Sequence, residues 1–205
     1  MIYRIYTLTA VLLASLSLAV AEERASGVST NLTRVEDFVL DDQFKNPSTQ
    51  AFPKERVSIY ALADRKGSDQ LEDWITPFYT RYEDRVDICG VANMKGLPKM
   101  LRPMLRRIFK KQIDYPVMMD WTGDVCAAFD YEAGVADIFV VDRAGRVVHR
   151  ISGEATAEKL NACFAAIDRL NEQHDSERAS EERDPPPGQA PPASEATSGE
   201  PPRES

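Results

Sequence analysis

Histidine is close to absent from this chain. Of 205 residues only His149 and His174 are histidine, too few to support a zinc centre, and no metal site is expected. Cysteine is scarce as well: Cys89, Cys126 and Cys163 are the full set, and no Cys-x-x-Cys occurs. Three thiols cannot all pair within one chain, so an oxidising compartment leaves at least one free, with three pairings open. The motifs G-x-G-x-x-G, G-x-x-x-x-G-K-[ST] and G-x-S-x-G are also missing, which removes the common signals for dinucleotides, P-loop phosphates and hydrolase serines. No cofactor is expected.

The end of the chain lacks the residues that build cores. From Asn171 to Ser205 there is no aromatic residue and no Leu, Ile, Val or Met, while seven of the thirteen prolines fall there. Such a segment buries too little apolar surface to offset the entropy of ordering, so 171–205 is expected to be a disordered tail. It holds nine acids and three arginines, a net of −6 out of the chain's formal −8. The rest is only mildly acidic, and overall charge gives no support to a nucleic-acid role. A solubilising extension is the plainer reading of the tail; docking on a partner or on cell-wall material is the other.

The start lacks a run long enough to cross a bilayer, which takes about 20 apolar residues. Arg4 is followed by an apolar or small stretch from Thr7 to Val20, and Ala19-Val20-Ala21 precedes Glu22. A cation, a short apolar stretch and an A-x-A end read as a signal peptide over 1–21. No cysteine lies near the cleavage point, which argues against a lipid anchor. The mature chain is expected to be periplasmic or secreted. Asn31-Leu32-Thr33 fits a glycosylation sequon, relevant only in a eukaryotic secretory pathway.

What remains is the size of one domain. An extension over 22–56 carries Val35 to Phe44, able to add an edge hairpin. Val57 to Ala63 (VSIYALA) reads as a buried strand. Asp64-Arg65-Lys66-Gly67-Ser68 follows as a loop with Ser68 as the helix cap. Ser68 to Tyr82 has Leu71, Trp74, Ile75, Phe78 and Tyr82 at helical spacing, with Pro77 inside. Val86 to Met94 is a second strand. Leu97 to Gln112 is an amphipathic helix, with Met100, Leu101, Met104, Leu105, Ile108 and Phe109 on one face. Val117 to Met119 is a short strand and Thr122 to Tyr131 a brief helix. Asp137 to Asp142 and Val147 to Ile151 form a hairpin around Gly145, and Ala157 to Leu170 closes the domain as a helix. This order is α/β with a mixed sheet covered on both faces.

Three runs carry a family resemblance. Pro77 sits in the first core helix. Tyr115-Pro116-Val117-Met118-Met119-Asp120 with Gly123 resembles a P-x-x-x-D-x-x-G insertion. Phe139-Val140-Val141-Asp142-Arg143-Ala144-Gly145-Arg146-Val147 resembles an F-x-x-D-x-x-G-x-V hairpin. Over 57–170 the ordered set resembles the thioredoxin-like superfamily, in its branch of periplasmic thiol–disulfide and peroxiredoxin-related proteins. The resemblance implies a three-layer fold with a central mixed sheet flanked by helices.

It also implies a site that this chain does not keep. Thioredoxins place their cysteine pair where the first core helix begins, so that the helix dipole favours the thiolate. Here that place holds Asp64, Arg65, Lys66, Gly67 and Ser68. The family's cis-proline, which faces the pair, corresponds to Ala136. Both elements are lost together, which predicts a binding or accessory module without redox catalysis, its partner an unidentified protein or small molecule. Two alternatives stay open: a thiol oxidoreductase or peroxidase that uses Cys126, and a regulator or assembly factor acting through the acidic tail. Cys89 and Cys163 lie among apolar residues and read as buried. Cys126 falls in the first turn of the short helix, where a helix N-terminus favours the thiolate, but Asp120, Asp124 and Asp130 nearby oppose it.

Asp64, Asp120 and Asp142 each end an expected strand, yet each is also at a turn, where aspartate serves the local backbone. The remaining feature is Lys99, Arg102, Arg106, Arg107, Lys110 and Lys111, six cations on one helix face. They are candidates for an anionic membrane surface, a phosphate-bearing ligand, an acidic partner or the chain's own tail. The plainer expectation is a solvated cationic face whose apolar side packs on the sheet.

Overall fold

A computed structural model describes residues 34–183. The leader expected over 1–21, the sequon at Asn31 and the chain beyond Arg183 lie outside the described residues. Phe38–Asp41 (β1) and Pro47–Gln50 (β2) pair antiparallel as a separate two-stranded hairpin. The hairpin expected around Val35 to Phe44 therefore extends further along the chain than the pattern indicated. Its turn is fixed by Asp42, whose carboxylate accepts from the Phe44 and Asn46 amides at 2.7 and 2.9 Å.

Val57–Ala63 (β3) follows and is buried at every position, as an unbroken apolar run demands of a strand covered on both faces. A 3-10 turn at Gly67–Gln70 leads into Leu71–Tyr82 (α1). Then come Val86–Asn93 (β4), a 3-10 turn at Lys99–Leu101, Arg102–Gln112 (α2), Val117–Asp120 (β5) and Asp124–Ala128 (α3). Asp137–Val141 (β6), Val147–Ser152 (β7) and Ala157–Arg183 (α4) complete the order. The main sheet runs β5-β4-β3-β6-β7. β3, β4 and β5 are parallel neighbours, whereas β6 is antiparallel to β3 and β7 to β6. The sheet is mixed, as expected.

Alternation along β3 divides the interior. Val57, Ile59 and Ala61 pack with Trp74, Phe78 and Tyr82 of α1 and Cys163 and Ile167 of α4. Tyr60 and Leu62 face the other way, against Phe129, Phe139, Val141 and Cys126. Each such large side chain contributes about 1.5–3 kcal/mol on burial, which is why α1 tolerates Pro77 in its interior. Trp74 also donates from Nε1 to the Gly153 carbonyl at 2.8 Å, pinning α1 to the end of β7.

Two expectations are corrected. The closing helix does not stop at Leu170; α4 continues thirteen residues into the segment read as disordered. Once the first half is anchored by Leu160, Cys163, Phe164 and Ile167, adding further turns costs little, and Glu, Gln, Ala and Arg are good helix formers. The second correction concerns α2, which buries no residue completely.

Candidate functional site

β3, the central strand, delivers Asp64 to the end of the sheet where the first core helix begins. Its Oδ1 accepts from the Lys66 and Gly67 amides, both at 2.9 Å. Asp64 therefore caps the turn, and Ser68, the expected cap, instead donates its hydroxyl to the Arg65 carbonyl at 2.9 Å. Either residue was legible as a cap; only the backbone path decides between them.

The other Asp64 oxygen reaches across to the loop before β6, where Oδ2 accepts from the Gly134 amide at 2.9 Å. Three further contacts join the same two loops. The Asp64 amide donates to the Tyr131 hydroxyl at 2.8 Å, and that hydroxyl donates to the Val135 carbonyl at 2.9 Å. The Ala136 amide donates to Gln70 Oε1 at 2.8 Å. Gly67 lies so close that a Cβ there would stand 2.2 Å from the Val135 carbonyl oxygen. The structure brings Asp64, Gly67 and Ala136 together, while Arg65, Lys66 and Ser68 are exposed. Between the two loops main chain is in contact with main chain.

All three thiols are free. Cys126 is buried, and its amide donates to Asp120 Oδ2 at 2.8 Å. Asp120 is itself fully buried and also accepts from the Gly123 amide at 2.8 Å. Burial first, and the Asp120 carboxylate second, push the Cys126 thiol far above its ordinary value. The nucleophile weighed for Cys126 needs the opposite environment. Burial also raises Cys163, to about 12. Cys89 is raised to about 11, mainly by burial.

Of the six cations, Lys99 lies in the 3-10 turn and five on α2, where Arg102 and Arg106 turn inward. Their guanidinium carbons stand 4.9 and 5.6 Å from the Trp121 ring centroid, and Arg106 bonds the Asp42 carbonyl and faces the Asp41 carboxylate at 3.4 Å. Lys99, Arg107, Lys110 and Lys111 remain exposed. The apolar side expected to pack on the sheet is instead split: Met100, Met104 and Ile108 are exposed, while Leu101, Leu105 and Phe109 are half-buried. Phe109 alone of it joins the small cluster of Ala92, Met94, Val117 and Met119 at the β5 edge.

One cluster escaped the sequence reading. An open cleft of about 680 Å³ is lined by Gln50, Lys54, Arg56, Tyr79, Ile88 and Cys89 among others. Inside it Gln50 Oε1 accepts from the Tyr60 hydroxyl at 2.8 Å and the Lys54 ammonium at 2.5 Å, with Cys89 Sγ 3.6 Å away. Gln50 and Lys54 come from the segment read as an extension, and no spacing in the sequence links them to Cys89. Among the described residues no group of three or more histidine, cysteine or acidic side chains is arranged to hold a metal ion.

Solved structures decide the fold family. A putative protein disulfide isomerase from Bacteroides thetaiotaomicron superposes with a TM-score of 0.56 at 17% identity, covering 73% of this chain and 96% of its own. A putative thiol:disulfide interchange protein DsbE from Chlorobium tepidum gives 0.52 at 16%, over 67% and 98%. The fold is thioredoxin-like. A DsbF homologue from Corynebacterium diphtheriae agrees, at 0.52 and 15%, over 71% of this chain and 96% of its own. No protein-family model matches the sequence, and no curated protein does.

Proposed function

We propose that this chain is an exported thioredoxin-fold protein that acts as a binding or accessory module without thiol–disulfide catalysis. One observation carries the reading: Asp64 and Gly67 join the start of the first core helix to the loop at Ala136, where a redox thioredoxin needs an accessible thiolate. Without a thiol in that place there is nothing to attack a disulfide. The raised Cys126 thiol supports the same reading, since thiol–disulfide exchange runs through the thiolate. Export rests on the leader pattern over 1–21 and on the company of its neighbours, one of which is an exposed lipoprotein thioredoxin from Streptococcus pneumoniae.

The test is turnover. Purified protein with dithiothreitol should reduce insulin no faster than dithiothreitol alone, and should consume no hydrogen peroxide above background. Activity that Cys126→Ser abolishes would establish the thiol-enzyme alternative and overturn this reading.

A further inference from the structure

The outward side of α2 is apolar along one edge. Met104 and Ile108, one turn apart on α2, are 51% and 40% exposed, and Met100 (83%) and Leu97 (38%) are exposed in the 3-10 turn and loop that lead into it. At that spacing Met104 and Ile108 share one face of the helix. The exposed cations Lys99, Arg107, Lys110 and Lys111 flank this edge. From Lys95 to Gln112 the chain has seven cations and no acid, although it carries 33 acids in all.

We propose that this face docks on an anionic lipid bilayer, with α2 lying in the interfacial plane. Long unbranched or singly branched apolar side chains beside lysine and arginine are the composition that enters the headgroup boundary. Charge complementarity selects the occupant. A protein that is net anionic is repelled by an anionic membrane everywhere except at an acid-free cationic face, so the docking orientation is set by that face. The inward anchoring fits the same role: Arg102 and Arg106 spend their charge on Trp121 and the β1–β2 hairpin, which leaves the methionines pointing to solvent.

The other occupants match less well. The chain's own end, 184–205, carries acids but no Leu, Ile, Val, Met or aromatic residue to cover Met104 and Ile108. A second copy docking through a two-fold axis would set one cationic face against the other.

The experiment places an environment-sensitive fluorophore in the 3-10 turn that opens α2, so that membrane contact by the N-terminal apolar stretch does not register. The full-length chain carries Met100→Cys, labelled in a Cys89→Ser background. Vesicles of phosphatidylcholine with phosphatidylglycerol should blue-shift the probe, vesicles of phosphatidylcholine alone should not, and high salt should reverse the shift. Arg107→Glu with Lys111→Glu should lower the partition coefficient at least about tenfold, since each basic residue near an anionic surface counts individually. Met104→Gln with Ile108→Gln should weaken it too, while circular dichroism shows the fold intact in both.

Four results would overturn the proposal. They are no shift on anionic vesicles, an equal shift on zwitterionic ones, binding indifferent to both double variants, or a shift with polyglutamate alone, which would make the partner an acidic protein. A concentration-dependent dimer that hides the probe without lipid would likewise assign the face to self-association. None of these outcomes bears on thiol turnover, so this inference and the proposed function fail separately.

Discussion

The carboxylate of Asp64 holds the amide of Gly134 at 2.9 Å across the end of the sheet. The same side chain caps the turn at Lys66 and Gly67, so one residue both starts the first core helix and closes the space beside it. Asp64→Ala removes three acceptor contacts with backbone amides. A loss of about 1–3 kcal/mol in urea unfolding at pH 7 is expected, the cost of a missing cap and unpaired amides. An unchanged midpoint would mean that the two loops are held together by other contacts.

Gly67 tests the closure sterically. The Cβ of Gly67→Ala would meet the Val135 carbonyl oxygen at 2.2 Å, and the obstacle is main chain rather than a flexible side chain. Overpacking of this kind costs about 1–3 kcal/mol. The variant should also make the loop at Gly134 exchange its amide hydrogens faster. A variant as stable and as protected as the parent would place the loops further apart than described.

Asp137 is fully buried beside Arg150, whose Nη2 stands 2.7 Å from Oδ2, and Ser152 donates to the other oxygen at 2.8 Å. Removing the cation by Arg150→Met leaves a buried carboxylate with one side-chain partner. Loss of a partner in a buried pair costs about 3–5 kcal/mol, read as a lower midpoint in denaturant. A change under about 1 kcal/mol would show the pair to be solvated, as exposed pairs are.

His149 on β7 gives a pH dependence. Its Nε2 is buried without a partner, and burial lowers its pKa from the ordinary value. The unfolded chain then binds a proton more readily than the folded one. The stability contribution is fully present above about pH 6.5 and is lost as pH falls through the lowered folded value. Stability measured from pH 7 down to pH 5 should fall less steeply in His149→Leu than in the parent. Parallel curves would show that His149 titrates freely.

The distal half of α4 should be dispensable. Arg143 donates to the Leu170 carbonyl and to Asn171 Oδ1, both at 3.1 Å, but the helix beyond carries no Leu, Ile, Val, Met or aromatic residue. Ending the chain after Asn171 is expected to shift stability by no more than about 0.5 kcal/mol, the scale of surface changes. A large drop in melting temperature would reveal packing onto the domain.

The sheet was legible because its strands are local statements. VSIYALA names a strand buried on both faces, and the Asp142–Gly145 turn names a hairpin without outside help. The loss of the cysteine pair was legible for the same reason, as identities at fixed places. The orientation of α2 was not. Periodicity put Met100, Met104 and Ile108 inward and all six cations outward, but Trp121, Asp41 and Asp42 draw Arg102 and Arg106 onto the domain. Those partners lie up to 65 residues away in sequence. The Gln50–Tyr60–Cys89 cluster was hidden by the same kind of distance, and the continuation of α4 by the weakness of composition as a guide once a helix has been nucleated.

The most direct measurement is the rate at which each thiol of the folded protein reacts with iodoacetamide at pH 7, resolved by mass spectrometry of peptides containing Cys89, Cys126 and Cys163. The account predicts that Cys126 and Cys163 stay unmodified until denaturant is added and that Cys89 reacts only slowly. A Cys126 that is alkylated in the native protein as fast as an exposed, activated thiolate would contradict it.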